Sequence, residues 1–160
     1  MRLQGRGIEN LWCSPLMRAK ETAEIVGTTL GLTPVVRQDL IEFDVGALEG
    51  RDDEEAWELY CEHADHWLQG KFLGVGVEGG ESVTQMSSRM ARFLSEIAAT
   101  DGTHLAITHG GFIRCSLPWV IEGMPPNKMA NQHLEPTGYV VMEKSPQSWT
   151  VSAWNVNSDR

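Results

Sequence analysis

Two short apolar runs, "NLWC" at Asn10 to Cys13 and "LAIT" at Leu105 to Thr108, each break off where helix-opening residues begin. Between them lie amphipathic stretches of helical length. Strands separated by helices imply a mostly parallel sheet with helices on its faces, because parallel neighbours need a crossover and the crossover is usually helical. Around this pattern the chain has 160 residues, enough for one domain with a real core. It contains no internal repeat and no low-complexity tract.

After "NLWC" come Ser14 and Pro15, a capping residue followed by a first-turn proline, so a helix is expected to start there. Leu16, Ala19, Ala23, Val26 and Leu30 continue it at helical spacing, with Gly31 placed to end it. "PVVRQDLIEFDVGALEG" reads as a strand and an irregular loop. "DDEEAWELYCEHADHWL" gives a second helix with Trp57, Cys61, Ala64 and Leu68 on one face. Ser82 and Gln85 have capping-box spacing ahead of a third helix striped by Val83, Met86, Met90, Phe93 and Ile97. The strand Leu105 to Thr108 follows, then a helix near Gly111. "YVVMEK" and "WTVSAW" form a hairpin on the antiparallel edge of the sheet. Pro118, inside the helix after Gly111, is expected to bend or delay it.

The net charge of −9 speaks against nucleic-acid and anionic-membrane partners, which are held by clustered Lys and Arg. Cys13, Cys61 and Cys115 are odd in number and show no CxxC spacing, so a reducing cytoplasm fits better than a disulfide framework. No segment approaches the ~18 continuous apolar residues of a membrane span.

In a parallel sheet the strand-to-helix turns gather at one edge, where helix N-termini attract anions. Arg18 falls in the first turn after "SPL", off the apolar stripe, and adds a fixed cation there. Thr108, His109, Gly110 and Gly111 supply a ring that titrates near neutral pH and a backbone open to close approach. A small phosphate is the anion that suits them. "DLIEFDVGALEG" brings Glu42, Asp44 and Glu49 toward the same edge, where burial could raise a carboxylic acid into general-acid range. The plainer alternatives are a solvated first-turn Arg and ordinary loop acids.

"WCSPLMRAKETAEIV", "DLIEFDVGALEG", "EGGES" and "AITHGGFIR", in this order, resemble the histidine phosphatase superfamily, the phosphoglycerate-mutase-like proteins. The resemblance runs from about Asn10 to Trp154. It implies a three-layer α/β/α fold with a mostly parallel central sheet in a single domain over residues 1–160, with 51–80 as a specificity cap in which Trp57, Tyr60 and Trp67 could form an apolar wall. It also implies phosphoryl transfer through a phosphohistidine to water, or to another hydroxyl in a mutase, with no cofactor and no metal. Arg18 then resembles the phosphate-binding arginine, Glu42 the acid that protonates the leaving group, and His109 the second histidine, with Gly110 beside it on the phosphate. Ser14, Thr108, Glu49 and His133 are further pocket candidates. The expected partner is a small phosphorylated substrate or phosphate, and a homodimer is left possible.

One element of the family pattern is missing from the sequence. The family's nucleophile ends an N-terminal strand in Arg-His-Gly, upstream of "SPL", and "MRLQGRGIEN" contains no histidine. The resemblance therefore implies a fold lacking its first strand and helix, a sheet with an unfilled slot, and a polypeptide inactive on its own. A late-assigned start, a fragment and a truncated pseudoenzyme that only binds phosphate are the three explanations; survival of Arg18, Glu42 and His109 favours the first two. His104 lies at the wrong end of its strand to substitute. "GVGVEG" follows no convincing strand and does not read as a dinucleotide loop. "CEHADH" lacks the further ligands a metal would need.

Overall fold

The computed structural model describes residues 3–125 and 134–156. β1 (Ile8–Cys13) lies between β2 (Val35–Val36) and β3 (Thr103–Ile107), parallel to both, in the order β2-β1-β3. The helices are α1 (Met17–Leu30), α2 (Glu54–Leu68), α3 (Val83–Ala98) and α4 (Gly110–Ser116). Neighbouring residues of β1 show how they are layered, since side chains of a strand alternate between the two faces. Leu11 reaches α1, where its Cδ2 stands 3.2 Å from a Cβ built on Gly27, whereas the Trp12 ring meets Phe93 of α3 edge-on at 6.2 Å. Helices therefore cover both faces of the parallel sheet, the expected α/β arrangement.

Several boundaries differ from the sequence expectation. α1 begins at Met17 and not at Ser14-Pro15: the Ser14 hydroxyl does accept from an amide, that of Leu16 at 3.3 Å, but Leu16 itself is the extended N-cap residue. Ser14 is held back because its own amide donates to the Ile107 carbonyl at 2.9 Å, prolonging the strand ladder. Gly31 ends α1 as expected, with φ of 71° and its N–H on the Gly27 carbonyl. α2 buries Ala56, Trp67 and Leu68 and leaves Trp57 outside, so its inner face is rotated from the Trp57, Cys61, Ala64 and Leu68 stripe. Tyr60 and Trp67, both packed on Phe43, set that rotation. Asp53 caps α2 by accepting from the Ala56 amide at 3.0 Å. α3 follows its expected stripe, with a complete capping box between Ser82 and Gln85. Pro118 neither bends nor delays α4. The α-helix stops at Ser116 and continues as one 3-10 turn, Leu117–Trp119, in which the proline occupies an early position that needs no donor.

The hairpin of β4 (Tyr139–Lys144) and β5 (Trp149–Val156) is antiparallel as expected. It forms its own two-stranded sheet, however, and is not the edge of the parallel one. Val140, Met142 and Trp149 pack it against the same apolar core as α3 and α4, and Lys144 Nζ donates to the Ala98 carbonyl at 2.8 Å. Among the described residues β3 pairs with β1 alone.

"GVGVEG" packs against the loop after β2, and the glycine that permits the approach is Gly46. Gly46 has φ of 55°, and a Cβ there would stand 2.2 Å from the Glu78 carbonyl oxygen. The Ala47 amide donates to that same carbonyl at 2.8 Å, and Glu81 donates to the Asp44 carbonyl at 2.8 Å. Gly46→Ala is therefore expected to destabilise the fold by at least about 2 kcal/mol, through left-handed strain and backbone collision, as measured by chemical denaturation.

Candidate active site

The two strand-to-helix turns meet as the sheet requires. Ser14 follows β1, His109 follows β3, and the parallel register pairs Cys13 with Ile107, so the two residues leave the sheet side by side. Both are buried, at 0% and 7% exposure, and His109 Nε2 lies 2.7 Å from Ser14 Oγ. The hydroxyl donates when Nε2 is unprotonated and accepts when it carries the proton. Burial pushes the His109 pKa down to about 4, reinforced by the charges of Arg18 and then Arg89. The ring is thus neutral at pH 7 in the free protein.

Glu42 enters from the loop after β2. Its Oε1 accepts from the Phe112 amide at 2.7 Å and from its own neighbour Phe43 at 3.2 Å. It also bonds the Gly111 amide. The carboxylate thereby occupies amides at the start of α4 that the sequence reading had left free for phosphate, a correction to that expectation. Gly111 is required for this approach: a Cβ there would lie 2.7 Å from Phe43 Cε1 and 3.1 Å from Glu42 Oε1. A Cβ on Gly110, by contrast, meets nothing within 4 Å, so the open face lies at Gly110. Burial raises the Glu42 pKa, opposed by the amide bonds of Phe43 and Phe112 and by the Arg18 charge. Glu42 is therefore not an ordinary solvated loop acid.

Arg18 stands exposed in the first turn of α1. No hydrogen bond or ion pair engages its guanidinium among the described residues, yet its charge acts on both Glu42 and His109. Ser14 and His109 are thus joined at the two turns, Glu42 is anchored at the start of α4, and the Arg18 charge acts on both Glu42 and His109.

Other candidates have different places. Thr108 ties the site together from below, donating through Oγ1 to the Leu40 carbonyl at 2.7 Å. Glu49 is exposed after a 3-10 turn, Gly46–Leu48, and takes no part in the contacts among Arg18, Glu42, His109 and Ser14. Asp44 accepts from the Gly46 amide at 2.7 Å and shapes its own loop. Trp67 is buried at 2% exposure, with Nε1 on the Val75 carbonyl at 3.0 Å, so it belongs to the core and to no pocket wall. His104 accepts from Trp12 Nε1 at 3.1 Å, at the far end of β3. His133 lies outside the described residues.

The residue that sequence reasoning missed is Arg89, on α3. It is 8% exposed and grips both Glu81 carboxylate oxygens, Nε at 2.7 Å and Nη2 at 2.9 Å. Its Nη1 donates to the carbonyls of Asp39 at 2.8 Å and Ile41 at 2.7 Å, and its Cζ stands 3.7 Å from the Phe112 ring centre. The available signal was a charged residue set between Met86, Met90 and Phe93 on an otherwise apolar stripe.

Known proteins share this family and this fold. The family model described as histidine phosphatase superfamily (branch 1) matches residues 1–157. A probable phosphoglycerate mutase GpmB from Yersinia pestis (strain Pestoides F) is 26% identical over 98% of this chain and 73% of its own length. Among solved structures, one titled mycobacterial hydrolase 1 superposes with a TM-score of 0.83 at 20% identity, covering 98% of this chain and 80% of that one. The α-ribazole phosphatase from Shigella flexneri does so with a TM-score of 0.72 at 21% identity, covering 95% and 75%.

Two outcomes test the site as described. Arg89→Met removes the partner of the largely buried Glu81 and orphans two carbonyls, so it is expected to destabilise by about 3 kcal/mol in chemical denaturation. The second concerns pH. Between its ordinary pKa of 6.5 and about 4, the His109 ring takes up a proton in the unfolded chain that it refuses in the folded one. Its contribution is complete above that window and is lost as pH falls through it, about 3 kcal/mol in all. Glu42 works in the opposite sense, since a carboxyl raised in the fold adds stability at low pH that disappears as pH rises through its folded pKa. His109→Gln should flatten the acid-side slope of denaturant stability measured between pH 7 and 4.5.

Proposed function

Because this chain belongs to the histidine phosphatase superfamily, we propose that it provides the phosphate-binding and proton-transfer half of a phosphomonoesterase, hydrolysing a small phosphomonoester through a phosphohistidine. The observation that carries this reading is the meeting of an unpaired guanidinium, a buried imidazole and a desolvated carboxyl at one sheet edge. Arg18 holds the non-bridging oxygens, and neutral His109 moves from Ser14 to the phosphoryl group, where its protonation becomes favourable once a dianion offsets the Arg18 field.

Protonated Glu42 donates to the bridging oxygen as the P–O bond breaks, leaving as the alcohol what was an ester oxygen. The phosphoryl group passes to the ring nitrogen of the histidine that the family carries in its Arg-His-Gly strand. In the second half, Glu42 carboxylate accepts a proton from the attacking water, and phosphate is released from the regenerated imidazole. Burial of Glu42 suits both halves, because it moves the carboxyl toward the pH at which it can both give and take a proton. The cap segment 51–80 is small, one helix (α2) and its following loop, which favours water as the acceptor over a second hydroxyl.

None of the described histidines other than His109 approaches this edge, so the 160-residue polypeptide is proposed to be inactive alone. Incubation with p-nitrophenyl phosphate is expected to give no turnover above background. A version extended upstream by a segment carrying Arg-His-Gly should turn over and accumulate an acid-labile phosphohistidine. In that version, Glu42→Gln should lower the rate by about 10²-fold or more, and His109→Ala should abolish it. Robust turnover by the 160-residue chain overturns the inactivity, and an inert extended protein overturns the enzyme reading in favour of a phosphate-binding protein.

A further inference from the structure

Resting on the phosphomonoesterase reading, we propose that Ser14 is a positioning residue for His109: its hydroxyl donates to Nε2 and fixes the neutral ring with its one proton on Nδ1, so that the nitrogen released to the phosphoryl group arrives as a proton acceptor. The contact is the 2.7 Å pair of Ser14 Oγ and His109 Nε2, between two buried side chains. A neutral histidine can meet phosphate in two ways. With its proton on Nε2 that nitrogen is a ready hydrogen-bond donor, whereas with the proton on Nδ1 it must first take a proton from the ligand.

The direction of the bond follows from the partners of the hydroxyl, which has one proton and two lone pairs. One lone pair takes the Leu16 amide at 3.3 Å, and Nε2 is the other hydrogen-bond partner of Oγ among the described residues. Were Nε2 protonated, the hydroxyl would accept twice, and its own proton would be left without an acceptor in a side chain of 0% exposure. Donation to Nε2 leaves no such orphan. The ring proton then sits on Nδ1, which has no protein partner among the described residues and is not among the buried atoms without one, so water can satisfy its N–H. The charges that act on the ring, Arg18 and Arg89, disfavour the imidazolium before a ligand binds, which leaves the choice between the two neutral forms.

Ser14 can direct the ring because the sheet directs Ser14. Its amide donates to the Ile107 carbonyl at 2.9 Å, and the Cys13–Ile107 register sets it beside the turn that carries His109. Its complete burial keeps Oγ from serving as a nucleophile, so it acts through the ring alone. The consequence is a proton transfer on binding. When a phosphomonoester monoanion meets Nε2, the phosphate O–H bond breaks and an N–H bond forms, turning monoanion and neutral ring into dianion and imidazolium with no further reactant. The pair so formed is held by opposite charges, with Arg18 on the same dianion.

The test is 15N NMR of the histidine ring nitrogens in the 160-residue protein near pH 7, with His109 assigned by its loss in His109→Gln. The unliganded protein is expected to show His109 protonated on Nδ1 and bare on Nε2. Ser14→Ala should raise the share of the Nε2-protonated form several-fold, and Ser14→Thr, which keeps the hydroxyl, should retain the Nδ1 form; a purely structural role for Ser14 would change stability and not the tautomer. Saturating inorganic phosphate is expected to protonate both nitrogens. A ring already protonated on Nε2 in the unsubstituted protein overturns the proposal even where Ser14→Ala does not fold, as does an Nδ1 form that persists in Ser14→Ala, or a ring that binds phosphate and stays neutral. Each of these leaves the phosphomonoesterase reading intact, which requires His109 at the site and not one of its tautomers. Phosphate that leaves the ring signals unmoved overturns the phosphate site itself, and this inference with it.

Discussion

The guanidinium of Arg89 is the junction on which the site is built. It projects from a helix whose other inward residues are apolar, and every contact it makes goes to a different part of the structure: Glu81 before α3, the Asp39 and Ile41 carbonyls after β2, and the Phe112 ring in α4. The segment from Asp39 to Ile41 has little regular structure to hold it, being one 3-10 turn, Gln38–Leu40, followed by extended chain. Its free carbonyls would be costly if buried without donors. Arg89 supplies those donors, and Thr108 adds another to Leu40. Fixing this segment fixes Glu42, because the acid follows Ile41 directly. A lysine could not replace it, since one compact ammonium cannot span a bidentate carboxylate and two carbonyls together.

Glu42 shows how one side chain meets two demands. Anchored on the amides at the start of α4, it is oriented without a dedicated second residue, and the same burial that makes the anchor strong disfavours the anion. Stabilisation by amides and desolvation oppose each other, with desolvation the larger effect. The orientation is therefore obtained without locking the group in its charged form.

Much of this was legible in the sequence because it depends on local rules. The capping box at Ser82 and Gln85, the α3 stripe and the Gly31 terminus each follow from spacing within a few residues, and the structure contains them as expected. The convergence of Arg18, Glu42 and His109 followed from one topological rule about parallel sheets. What could not be read off depended on contacts distant in sequence. The rotation of α2 is set by Phe43, well outside the helix, so helical periodicity alone assigned Trp57 inward. The start of α1 was displaced because Ser14 is still part of a strand ladder with Ile107. Arg89 bonds to partners 8, 48 and 50 residues away, and nothing in its immediate neighbours signals a role beyond an interrupted stripe.

The one-sided pairing of β3 bears on how the protein behaves in concentrated solution. Along its other flank, among the described residues, run backbone donors and acceptors without a ladder partner, beside the half-exposed side chains of Leu105 and Ile107. Such a flank is a template on which a strand from a second molecule can add. Mutual repulsion between molecules of net charge −9 opposes that addition at low ionic strength, and added salt removes the protection. Colloidal stability in this protein is thus an electrostatic property, whereas the fold itself rests on its apolar core.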